Sequence, residues 1–201
     1  LKTIHGQLSA IFNHAMKFYD LAANPAQKAG TMGAEESKEM EFWTKEEYLK
    51  FSEAMMDKPI SYYAFELLYW CGVREGELLA LSPSDFNFEK RTLRINKSYQ
   101  RLEGEDVIST PKTKNSNRIV KMPQFLCDEM QDFFKQYYSL QPDDRIFPVT
   151  KYYLSHEMDR GCKESGVKRI RVHDLRHSHV SLLINICLLY TSDAADDSLR
   201  V

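Results

Sequence analysis

The chain has 201 residues, 43% of them hydrophobic and 28% charged, enough for one domain with a sizeable core or for one domain and a piece of a second. Its formal net charge of −2 gives no general basic character, so any contact with nucleic acid has to rest on local charge. Cys71, Cys127, Cys162 and Cys187 form no CxxC pair, which argues against a disulfide framework or zinc knuckle and fits a reducing, cytoplasmic setting, and no apolar run reaches the about 18 residues of a transmembrane helix.

Residues 1–22 place Ile4, Leu8, Ile11, Phe12, Ala15 and Tyr19 at helical spacing, and Asn24-Pro25 is expected to end that helix. One helix cannot bury its own stripe, and the chain opens at Leu1 with no signal-peptide pattern, so a fragment of a longer protein is expected. Residues 26–42 are small and polar and read as a linker. Thr44 and Glu47 form a capping box opening a helix to about Met56, whose Glu46, Glu47 and Glu53 mark a solvated face. Residues 60–71 are apolar nearly all round, the pattern of a buried helix, with Gly72 placed to end it. Arg74 then stands at a junction between two helices, with Glu77 three residues on to orient its guanidinium.

From Asp85 the period becomes two. Leu93 and Ile95, Val107-Ile108 and Ile119-Val120 predict a small three-stranded antiparallel sheet, locally basic through Lys97, Arg101, Lys112, Lys114, Arg118 and their neighbours. Such a basic hairpin on a near-neutral chain suits a contact with phosphates, although a solvated sheet face would have the same composition. An amphipathic helix follows Pro123, a short extended piece covers 145–148, and a further helix spans about 152–165 and stops at Gly166. Lys168, Arg169 and Arg171 form a second basic patch. His173-Asp174-Leu175-Arg176-His177-Ser178-His179 reads as the first turns of a buried helix continuing through Val180, Leu182, Leu183, Ile184 and Ile186. His173, Arg176 and His177 share one face, suited to a phosphate or carboxylate, unless Asp174 offsets their charge. Residues 188–201 show neither period and read as an aberrant, non-native tail.

Arg74, a hairpin lysine, and His173 with Arg176 can converge on one phosphodiester. Two arginines clamp the non-bridging oxygens, a lysine protonates a departing 5′-oxygen, and a histidine hydrogen-bonds the phosphate or handles a proton. No acidic metal-binding cluster is visible in the sequence, so side chains would supply the positive charge and no metal or other cofactor is expected.

Gly72-Val73-Arg74-Glu75-Gly76-Glu77-Leu78, Pro111-Lys112-Thr113-Lys114 and His173-Asp174-Leu175-Arg176-His177 occur in an order that resembles the tyrosine recombinase (phage integrase) family, in the manner of prophage and conjugative-transposon integrases. The resemblance covers about Leu1 to Ile186 and implies a mixed α+β, mainly helical catalytic domain with a small antiparallel sheet at 43–187. It implies that 1–25 are the end of a helical core-binding domain, that 26–42 are a linker, and that the chain has no arm-binding domain. It implies that Arg74, Lys112, His173 and Arg176 are catalytic, with Glu77 and His177 in support and Lys114 an alternative to Lys112. Lys97, Arg101, Lys114, Arg118, Lys168, Arg169 and Arg171 are the expected DNA contacts.

The implied partners are double-stranded DNA and further copies in a tetramer, with no membrane. The family's second histidine or tryptophan falls about where Leu199 stands, and its tyrosine nucleophile lies beyond the end of this chain, since Tyr190 comes too early. The implied reaction is transesterification through a 3′-phosphotyrosyl link, which this chain is expected to lack the residue to perform. The alternatives are a DNA-binding module without chemistry and a metal protein using His173, His177 and His179.

Overall fold

The computed structural model describes residues 2–30, 40–110, 117–136 and 140–197. The chain divides into two compact units, 1–39 and 40–201.

The first unit holds α1 (Lys2–Phe18) and α2 (Pro25–Ala29). The Asn24-Pro25 pair begins a helix instead of closing one, and the helical pattern predicted to residue 22 ends at Phe18. Asn24 is the N-cap, accepting from the amides of Ala26 and Gln27, and proline suits the first helical position because no intrahelical donor is required there. The Asn24 amide also donates to Asn13 Oδ1 at 2.8 Å and to the Ser9 carbonyl at 3.0 Å, which ties α2 to α1. Residues 26–29, expected to be linker, therefore lie in a helix that begins at Pro25. Within this unit Ile4 and Ile11 stay exposed, so the α1 stripe has no cover there.

The second unit has a core of its own, beginning at Trp43. It contains α3 (Lys45–Met55), α4 (Pro59–Cys71), α5 (Glu75–Leu78), α6 (Gln124–Lys135), α7 (Lys151–Ser165) and α8 (Leu175–Asp197). The capping box is present: the Thr44 amide donates to Glu47 Oε2 at 2.8 Å, and the Glu47 amide to Thr44 Oγ1 at 3.3 Å. α4 is buried along most of its length, as its composition demands, and ends at Gly72 with φ +58°. Gly161 lets α7 approach α3, since a Cβ there would lie 2.4 Å from the Phe51 ring. The described residues contain no helix long and apolar enough to cross a membrane.

The strands are β1 (Phe86–Asn87), β2 (Thr92–Ile95), β3 (Ser98–Leu102), β4 (Glu105–Ser109) and β5 (Arg118–Lys121). A three-stranded antiparallel sheet exists, but its order is β1-β2-β5, and Val107-Ile108 lie outside it. They belong to a separate β3–β4 hairpin, closed by Glu103 at φ +51° and Gly104 at φ +91°. A two-residue turn with both φ positive pairs its flanking strands with each other, so alternation along 98–109 was satisfied locally. Leu93 pairs instead with Val120, and Ile95 with Arg118.

The apolar run of α8 is less buried than expected. Leu175 and Ser178 are fully buried and Leu182 packs on the core, whereas Val180, Leu183, Ile184 and Ile186 are exposed. The run is apolar on more than one face, and α8 packs against α4 within this unit. The helix continues through 188–197 as backbone, without a break where the sequence changes character.

Candidate functional site

The turn from α4 into α5 carries Arg74, held in extended backbone at φ −76° and ψ 149°. Its side chain is half exposed, while Glu77, one turn on, is 5% exposed. The Glu77 carboxylate accepts from the Arg74 amide at 2.9 Å and from Arg74 Nη1 at 2.9 Å. It also accepts both Nη groups of Arg118, at 2.8 and 2.7 Å. Burial works to raise the Glu77 carboxyl, but the Arg118 hydrogen bonds, then those from Arg74, hold it below the usual carboxylate range.

Arg176 enters from the first turn of α8. Its Nη1 donates to the Gly72 carbonyl, two residues before Arg74. Burial, followed by the charges of Arg74 and Arg118, lowers the Arg176 guanidinium from its ordinary value, with Glu77 opposing. Two guanidinium groups thus share the Glu77 carboxylate, and that of Arg176 feels the positive charge of both with no carboxylate bonded to it among the described residues. A phosphate would supply what is missing.

His173 is exposed in the single 3₁₀ turn 172–174 that precedes α8, and its ring stands edge-on to that of His177 with centroids 5.8 Å apart. Asp174 offsets part of this face's charge: burial works to raise its carboxyl, but the hydrogen bonds and charge of Arg171, and then the charge of His177, hold it below the ordinary value. It is 2% exposed and accepts from Arg171 Nε at 2.9 Å and Nη2 at 2.8 Å. His179 packs its ring against Gly72, where a Cβ would lie 2.4 Å from Cδ2, and makes a backbone hydrogen bond to Tyr69. Burial, more than the nearby charge of Arg176, lowers the His179 ring from its ordinary value. His173, His177 and His179 are not a metal-binding triad: the described residues contain no group of three or more potential ligands.

Lys112 and Lys114 lie outside the described residues. The remaining expected contacts differ in how free they are. Lys97 donates to Ser82 Oγ at 2.6 Å and pairs with the buried Asp85 at 2.7 Å. Arg169 pairs with Asp159 at 2.5 Å and Arg171 with Asp174. Arg101 and Lys168 are more than half exposed and their carboxylates stand farther off, at 3.9 and 3.8 Å. Two features had no signal in the sequence. Arg118 was one basic residue among many on the sheet, and nothing local linked it to Glu77, 41 positions earlier. His179 against Gly72 is likewise a contact made only by the fold.

Residues 41–187 match the profile of the Phage integrase family. Among curated proteins the chain is 32% identical over 199 residues to the ICEBs1 integrase of Bacillus subtilis (strain 168), covering 92% of this chain and 54% of that protein. It is 32% identical over 151 residues to a XerC-like tyrosine recombinase of Caldanaerobacter subterraneus subsp. tengcongensis, covering 66% of this chain and 37% of that one. The chain therefore spans about half or less of the length of these relatives. Its fold is similar to the Tn1549 transposon integrase in complex with a circular intermediate DNA, with a TM-score of 0.75 at 21% identity over 92% of this chain and 66% of that one. It is also similar to a lambda integrase dimer bound to a COC′ core site, with a TM-score of 0.58 at 20% identity over 89% and 50%.

Proposed function

Since the chain belongs to the phage integrase (tyrosine recombinase) family, we propose that it supplies the phosphate-binding half of a site-specific DNA recombinase. The observation that carries this reading is the half-exposed Arg74, fixed by buried Glu77 beside Arg176, an arrangement with spare positive charge. In this reading the two guanidinium groups grip the non-bridging oxygens of the scissile phosphate. They stabilise the charge that gathers there as the phosphorus becomes five-coordinate. His173, exposed at the head of α8, hydrogen-bonds the same phosphate, and His177 sets its ring from one turn below.

Lys112, or Lys114 in its place, protonates the departing 5′-oxygen. The attacking tyrosine is assigned to none of this chain's residues, so the chain binds DNA without cutting it. Arg101 and Lys168, the least committed of the peripheral cations, contact the flanking backbone. On DNA the whole protein assembles with copies of itself.

The 201-residue chain, mixed with a pool of nicked duplexes, tests both halves of the reading. The expected result is a shifted complex at low salt and no protein–DNA band that survives denaturation. Failure to bind would contradict the DNA reading. A surviving band lost on Tyr190→Phe would overturn the assignment of the nucleophile.

A further inference from the structure

Arg118 was expected to contact DNA, but its geometry gives it different work. Both of its terminal nitrogens are engaged by Glu77, in the parallel two-bond pairing that fixes a carboxylate in orientation as well as position. Its side chain is 25% exposed, against 50% for Arg74. The described residues give Arg74 one side-chain hydrogen bond, from Nη1 to the Glu77 oxygen that Arg118 also holds. Arg118 belongs to β5, where it sits opposite Ile95 in the sheet, whereas Arg74 is the N-cap of α5 and Glu77 lies in its first turn. The pairing is thus a cross-brace from sheet to turn, with the carboxylate as its joint. Were Arg118 to leave for a phosphate, a carboxylate 6% exposed would keep only Arg74.

We infer that Arg118 is a positioning residue: through Glu77 it fixes where Arg74 presents its guanidinium to phosphate, and it makes no phosphate contact of its own. This rests on the proposed phosphate site. It makes a specific demand on chemistry, because the two-pronged fork, and not the charge, does the work. Lysine keeps the charge and loses the fork.

The test compares duplex-DNA affinity across a salt series for the full chain carrying Arg118→Lys or Arg118→Gln, each with Arg74 intact and with Arg74→Ala. Thermal unfolding checks that every variant is folded. The expected result is a loss of about tenfold for Arg118→Lys when Arg74 is present, the worth of one charge-assisted hydrogen bond. In the Arg74→Ala background, Arg118→Lys and Arg118→Gln should cost nothing further, which is the signature of two residues acting as one. The inference alone is overturned if Arg118→Lys binds like the parent while Arg118→Gln lowers the salt slope by about 0.9 in both backgrounds, as removal of an independent phosphate contact would. Unchanged affinity and slope for Arg74→Ala would overturn the phosphate site itself and this inference with it.

Discussion

A carboxylate that accepts four hydrogen bonds from two arginines is hard to replace. Glu77→Ala leaves the partly buried Arg118 without its partner, although water can still reach it, so the expected cost is about 1–3 kcal/mol in denaturant unfolding. The pH dependence divides by group. Glu77 and Asp174 have carboxyls below their ordinary values of 4.5 and 3.8, so the stability they contribute is present above those values and lost as pH falls through the lowered ones. His179 acts earlier. Its folded value lies below the ordinary 6.5, the unfolded chain takes up the proton first, and stability drops as pH falls below 6.5. A melting-temperature series from pH 8 to 5.5 should fall for the parent and run flatter for His179→Gln. Equal slopes would remove His179 from the account.

The pairings of Arg74 with Glu77 and of His173 with His177 were legible at this scale because each lies within a short motif. Those of Arg118 and His179 were not, because their partners are remote in sequence and a single chain carries no trace of such pairings.

The elements around the site depend on one turn. Gly72 ends α4 at φ +58°, two residues before Arg74, with the His179 ring filling the space a side chain would need. Gly72→Ala pairs an unfavourable left-handed backbone, at about 1–2 kcal/mol, with a steric clash, so a loss above that range is expected. DNA binding should weaken with it. The double variant Gly72→Ala with His179→Ala should recover the steric part and leave the backbone part, as read by chemical denaturation. Helix starts and stops were readable in the second unit because caps and glycines are local signals, as at Thr44, Gly72 and Gly166. At Asn24-Pro25 the same chemistry was read as a stop when it marks a start. Alternation could identify strands but could not choose between the hairpin partner and the later strand β5. The apolar length of α8 could not say how much of it the fold covers.

At the scale of the whole molecule, the core cluster from Trp43 to Leu175 is drawn entirely from the second unit. The near-neutral total charge concealed the site, since 29 acidic residues spread over the chain balance its 27 lysines and arginines. The account rests on Arg74 and Arg176 acting together on DNA phosphate, and the most direct test is the slope of log affinity against log salt. Replacing both with alanine should reduce that slope by about 0.9 relative to the parent, the loss of one neutralised phosphate. Parallel slopes for the parent and the double variant, both folded, would contradict it.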